Sequence, residues 1–388
     1  MLAQMRHAGP VVLTKFPIIG KVWLVTTYDA VCAMLKDQEC FVREGRNAGK
    51  RWWMDLEWWM SKLFRAPSQN MLSKDEPDHR RLRNLVEQAF ARRSIEGMRS
   101  RIETITDELL DEAAARGDAG GVIDIAEFAQ QLPLAVISEL LGLPDEDRAK
   151  FTQWAAGTTS VSSLTGLLRL LPNMFRINRY FREQLNLCRQ KPREGLISLL
   201  VQAEIAGDCL NEDELTAMVY LLLFAGHVTT VELIANGLFT LLEHPDQKAE
   251  LLQDWTKIES AVEEMLRYRA PVPFAKPRLT SKDLVFHGQP LRRGQRVLAV
   301  LASANTDPAR FDDPERFDIN RHPNQHVSFG AGIHVCLGLK LARLEARVAI
   351  QRLLTRYPNL DLAVPHDQVP WSRGGFRTFK SLPVRLQG

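Results

Sequence analysis

The 388-residue chain has no apolar run long enough to cross a bilayer. Its longest, Met218 to Gly226, is broken by Tyr220 and falls well short of the roughly 20 residues a span needs. Residues Met1 to His7 lack the apolar stretch of a signal peptide, so a soluble, cytoplasmic protein is expected. Charge imbalance is nearly absent: 50 Lys and Arg against 47 Asp and Glu leave a formal +3. That is too little to argue for nucleic acid or an anionic membrane as partner. Cysteine is sparse, odd in number and scattered (Cys32, Cys40, Cys188, Cys209, Cys336), which argues against a disulfide framework and suits a reducing compartment. What remains, 45% hydrophobic and 25% charged, is the composition of an ordinary globular protein.

Against that plain background one stretch stands out, Phe329 to Gly338, reading Phe-Gly-Ala-Gly-Ile-His-Val-Cys-Leu-Gly. Gly330 and Gly332 bracket Ala331, so the backbone can bend sharply and approach something flat and bulky. An amphipathic helix is predicted from about Leu337 to Tyr357. Cys336 sits where it begins, and a helix N-terminus favours thiolate over thiol. A single sulfur anion with no second cysteine nearby suits a metal carried by a cofactor, not tetrahedral zinc.

Other constellations lie upstream. Lys21 to Tyr28 reads as a hairpin strand and Asp29 to Leu35 as a helix. Trp52, Trp53, Trp58 and Trp59 fall within eight residues, giving either a hydrophobic staple or a lid over an apolar ligand. On the helix predicted over Asp75 to Phe90, His79 and Arg83 share a face and can offer an imidazole and a guanidinium to one anion. Ser94 to about Gly207 is helix after helix and carries no chemistry. Asn211 with Glu214 makes a capping-box start to a pattern that runs without proline to Pro245. That is about 33 residues, or roughly 50 Å of helix. Gly226 in its middle costs about 1 kcal/mol and calls for a reason. Thr229 can turn its hydroxyl onto a carbonyl one turn back. Glu264 and Arg267 are spaced to pair on one helix face.

The pattern Phe-Gly-x-Gly-x-His-x-Cys-x-Gly, followed by Leu341, Ala342 and Arg343, resembles the haem-binding loop of the cytochrome P-450 superfamily, in its soluble bacterial form. The likeness runs from about residue 20 to the C-terminus. It implies a mainly α fold with a small β region, one domain over 1–388, a short N-terminal lead (about 1–18), a long central distal helix and a haem-thiolate loop. It implies haem b with Cys336 as the axial thiolate on iron, the ligand type that favours O–O cleavage. Phe329 and Gly330 would border the haem, and His79, Arg83, Arg278 and His334 would hold its propionates. Thr229, beside Gly226, would serve oxygen activation. Phe224, Ala225, Val272, Phe274 and Phe376 would line the substrate pocket. Glu264 and Arg267 would form a buried pair joined by Arg316.

The expected activity is hydroxylation, a monooxygenase reaction that places one atom of O2 in an apolar terpenoid, fatty-acid or polyketide-like substrate. Electrons would come from a separate ferredoxin or flavodoxin with its reductase, to a monomer. At one position the chain departs from the family: Val228 stands where an Asp or Glu is usual, and valine cannot relay a proton. Either His227, a water chain or a substrate group compensates, or dioxygen turnover is impaired. Two rival readings follow, a peroxide-driven peroxygenase and a non-catalytic haem or ligand carrier.

Overall fold

The computed structural model describes residues 1–16, 20–49, 69–91, 95–117, 121–148, 150–151, 164–205, 210–371 and 379–386. Trp52, Trp53, Trp58, Trp59, Cys209, Phe376 and the turn at Gly374 and Gly375 lie outside the described residues. Helix predominates, with small sheets, and contacts divide the chain into two compact units.

The first unit comprises Met1–Arg83 and Glu263–Leu339. Its five-stranded sheet starts with a hairpin, β1 (Val11–Phe16) and β2 (Gly20–Val25), paired from Val11↔Val25 to Phe16↔Gly20. The β-branched residues Val11, Val12, Thr14, Val22 and Val25 favour this pairing. The next neighbour of β2 in the sheet is remote in sequence. It is β8 (Arg296–Ala299), joined in parallel through Trp23↔Val297 and Val25↔Ala299. β5 (Arg278–Thr280) and β3 (Phe41–Val42) complete the order β1-β2-β8-β5-β3. β6 (Leu284–Phe286) and β7 (Gln289–Leu291) form a separate hairpin.

The helix Tyr28–Lys36 packs on this sheet through Val31, Met34 and Leu35, in a core shared with Val25, Phe41, Val297 and Val327. Val327 lies two residues before the glycine loop, and Ala331 of that loop packs on the same core. The loop is therefore seated on the sheet and its helix, not suspended from them.

The second unit, Asn84–Val262 with Lys340–Gly388, is helical. Its axis is the 32-residue helix Glu212–Glu243, which starts at the reciprocal cap read from sequence. Glu214 N donates to Asn211 Oδ1 (2.9 Å), and Asn211 N donates to Glu214 Oε2 (3.1 Å). By length and composition alone it could cross a bilayer, yet 56% of its apolar window is buried inside the protein. A helix apolar on most sides is a core helix. It packs closely along Ile125–Leu141, whose N-terminus is capped by Asp124. β4 (Val122–Asp124), β10 (Pro383–Arg385) and β9 (Asp361–Leu362) make a small antiparallel sheet.

Candidate functional site

The cysteine loop owes its shape to two left-handed glycines, Gly330 (φ 72°) and Gly332 (φ 73°). A Cβ on Gly332 would stand 2.5 Å from the Leu35 carbonyl oxygen, so the close packing of the loop on the helix Tyr28–Lys36 requires glycine. Gly330 N donates to Val327 O (2.8 Å) and Cys336 N donates back to Phe329 O (2.9 Å). This closes the loop and holds Cys336 half-buried, three residues before the helix Leu339–Arg356. The base of the loop is tied by Asn305, which is fully buried. Its amide donates to Ser328 Oγ (2.7 Å) and accepts from Val327 N (2.8 Å). Ser328 Oγ in turn donates to Leu266 O (2.6 Å).

Around the loop the first unit gathers positive charge. Arg83 Nη1 donates to Ile333 O (2.9 Å) and Val335 O (2.7 Å), clamping the turn that leads to Cys336. The His79 and His334 rings meet edge to face at 4.4 Å. Arg278 is buried and donates to Met34 O (3.1 Å) and Leu35 O (3.0 Å). Arg43, unsuspected from sequence because a lone arginine in a polar loop carries no signal, joins them by donating to Lys276 O (3.1 Å). A cavity of about 310 Å³ lies beside Arg278, His334, Ile333 and Asp75.

The electrostatics of this cluster are those of crowded cations. Burial, with Arg43 and His79 alongside, pushes the His334 pKa down to about 2. Burial and then Arg278 lower Arg43 to about 9, and burial lowers Arg278 to about 10. Among the described residues, the Nε atoms of Arg43 and Arg278 are buried without a hydrogen-bond partner. Crowded, desolvated donors with unused N–H groups are what carboxylates would satisfy. Haem, with its two propionates and an iron that takes a thiolate, fits this donor set.

The structure corrects one expectation here. Glu264 and Arg267 are fully buried and bonded in two places, at 2.7 Å each. The side chain that joins them is not Arg316, which is exposed and contributes only its carbonyl to Arg267 Nη2 (3.0 Å). The joining residue is Arg321, whose Nε lies 3.2 Å from Glu264. The tight turns through Asp313 and Asp318 bring the later arginine inward, which residue spacing does not reveal.

In the second unit, Thr229 Oγ1 donates to Ala225 O (2.8 Å), as its position in the motif suggested, and Thr230 Oγ1 donates to Gly226 O (2.9 Å). Gly226 has its reason: a Cβ would meet Ile137 at 3.2 Å, where the two helices cross. Ala225 is exposed, Val228 half-buried, and Phe224 stacks on Tyr220 with centroids 4.3 Å apart. His227 is buried, with Nε2 3.0 Å from Gln130 O. In the first unit, Val272 is half-buried and Phe274 packs partly on the core with Val22 and Leu298.

A glycine-shaped loop presenting one cysteine beside a carboxylate-seeking cluster defines a haem-thiolate protein. The family model described as Cytochrome P450 matches residues 171–374. The polyketide biosynthesis cytochrome P450 PksS of Bacillus subtilis (strain 168) is 40% identical over 392 residues, covering 100% of this chain and 95% of that relative. The cytochrome P450 monooxygenase PikC of Streptomyces venezuelae is 40% identical, covering 99% and 89%. Among solved structures, myxobacterial cytochrome P450 CYP267B1 in complex with myristic acid superimposes with a TM-score of 0.90 at 38% identity, covering 100% of this chain and 96% of that one. The chain belongs to the cytochrome P450 family. It is an iron-dependent haem-thiolate monooxygenase of the bacterial type, acting on apolar substrates with electrons from a redox partner.

Proposed function

We propose that this protein hydroxylates an extended apolar substrate of the fatty-acyl or polyketide class, in the cytoplasm, as a monomer served by a ferredoxin or flavodoxin and its reductase. The observation that carries the reading is the closed glycine loop that holds Cys336 half-buried beside the cationic cluster. Bound haem would supply the oxygen chemistry, with Cys336 on its iron. His79, Arg278, His334 and Arg43 would hold the propionates, and Phe329 and Gly330 would border the macrocycle. Arg83, bonded to Ile333 O and Val335 O, keeps the cysteine loop in register.

Thr229 would place its hydroxyl at the oxygen side, with Ala225 and Phe224 of the same helix as an apolar wall for the substrate. The substrate class is supported by the names of PksS and by the myristic acid bound to CYP267B1, together with the apolar side chains presented by the central helix.

The test is turnover of a panel of fatty acids and macrolactones with surrogate ferredoxin, reductase and NADPH. Oxygenated product is expected from the wild type. Cys336→Ser should abolish it and remove the thiolate signature from the reduced carbonyl spectrum. An intact thiolate spectrum without product from any substrate or electron source would favour the carrier reading. Product from peroxide alone, at the rate seen with NADPH, would favour a peroxygenase, the reading that apolar Val228 encourages.

A further inference from the structure

Monooxygenation places one oxygen atom in a C–H bond and releases the other as water, consuming two electrons and two protons. The redox partner supplies the electrons, and the protons must come through the protein. Thr229 can pass a proton but is not an acid, and Val228 beside it is apolar. His227 is no substitute: its ring is held at Gln130 O, and it lies about 160° round the helix from Thr229.

One acid does lie on the right face. At about 100° per residue, Glu232 falls between Val228 and Thr229 in azimuth, one turn toward the C-terminus, on the stripe that also carries exposed Ala225. Its side chain is only 3% exposed. Asn236 Nδ2 donates to its Oε2 at 3.1 Å, so the carboxyl is oriented by the next turn of the same helix. Resting on the monooxygenase reading, we propose that Glu232 is the proton store for oxygen activation, displaced one helical turn from the position Val228 occupies. It holds a proton on its carboxyl and passes it through water and the Thr229 hydroxyl to the oxygen being reduced. The carboxylate left behind is re-protonated from solvent, so Glu232 is unchanged over the cycle. It acts through Thr229 and touches no reacting atom.

The protonation state agrees with the geometry. Burial raises the carboxyl to about 8, offset only partly by the Asn236 amide, and among the described residues no charged side chain bears on it. Near neutrality the group is therefore loaded. The sequence carried the signal in the spacing of Glu232 from Thr229, but not the burial that makes the acid usable.

The test is Glu232→Gln in the haem-loaded enzyme, since glutamine keeps the shape and the bond to Asn236. NADPH consumption, product and released peroxide are followed from about pH 6 to about pH 9. NADPH consumption should persist while product per NADPH falls by about 100-fold and peroxide rises. Coupling in the wild type should decline as pH passes about 8, and the variant should show no such step. Adding Val228→Glu to Glu232→Gln should restore product to within about tenfold of wild type. Infrared spectra of the resting protein at neutral pH should contain a protonated-carboxyl band that Glu232→Gln removes. Unchanged coupling and pH profile in Glu232→Gln, or no band lost, would overturn the assignment while leaving the monooxygenase reading intact. No product from the wild type would sink that reading instead, and the infrared band, recorded without turnover, would still decide whether Glu232 holds the proton.

Discussion

Arg267 shows at the scale of one residue how a buried charge is made tolerable. All five of its N–H groups are used: two on Glu264, and one each on Asn305 O (3.0 Å), Pro314 O (2.8 Å) and Arg316 O (3.0 Å). Glu264 is equally occupied, accepting also from Asp318 N (3.0 Å), Arg321 and Asn324 Nδ2 (3.1 Å). A buried ion pair is weak evidence of net stability, but removing one member leaves the other charge unpaired. Arg321→Ala, which strips a cation from Glu264, should destabilise by about 1–3 kcal/mol in urea unfolding. Arg316→Ala should stay within about 0.5 kcal/mol, because only its backbone takes part. Equal losses from the two would contradict the geometry. The pairing of Glu264 with Arg267 was legible from their spacing, whereas the choice between Arg316 and Arg321 was not. Two arginines five residues apart in a turn-rich segment differ only in where the turns send them.

Among the elements, the central helix was the most legible and the cysteine loop the most constrained. A capping box, an uninterrupted apolar pattern and the proline at 245 bound Glu212–Glu243 in the sequence itself. The purpose of Gly226 needed the partner helix, since only Ile137 explains it. In the loop, the glycines announced a tight turn, but the carbonyl of Leu35 pressed against Gly332 belongs to a helix some 300 residues earlier. Gly332→Ala combines a left-handed φ with a clash against backbone that cannot swing aside. It should cost at least about 2 kcal/mol. Haem content after purification should fall with it. Retention of wild-type haem content and melting temperature would show that the loop has room the structure denies it.

For the molecule as a whole, two buried carboxyls make stability fall with rising pH, while the lowered histidines His79, His227 and His334 act in the opposite direction below about 6.5. Burial raises Glu232 and Glu345 from an ordinary 4.5 to about 8. Among the described residues, Glu345 Oε2 is buried without a hydrogen-bond partner. Between these values the folded state holds carboxyl protons that the unfolded state has released, so the contribution of these two groups to stability falls as pH rises from about 4.5 to about 8 and then levels off. Glu345→Gln should reduce that fall, by on the order of 1–5 kcal/mol between mildly acidic and alkaline pH. Chemical denaturation at several pH values measures it, and an undiminished fall would mean that Glu345 is not a source of it. By itself the sequence determined the family, the thiolate loop, the long helix and the threonine on it, because each is written in contiguous residues whose spacing is its own signal. Only the tertiary structure decided that β2 pairs with β8 across some 270 residues, that Arg43 joins the cationic cluster, that His227 turns away to Gln130, and that Glu232 is buried enough to keep a proton. Those depend on which surfaces exclude water and which charges are brought together, and no local pattern of residues encodes that.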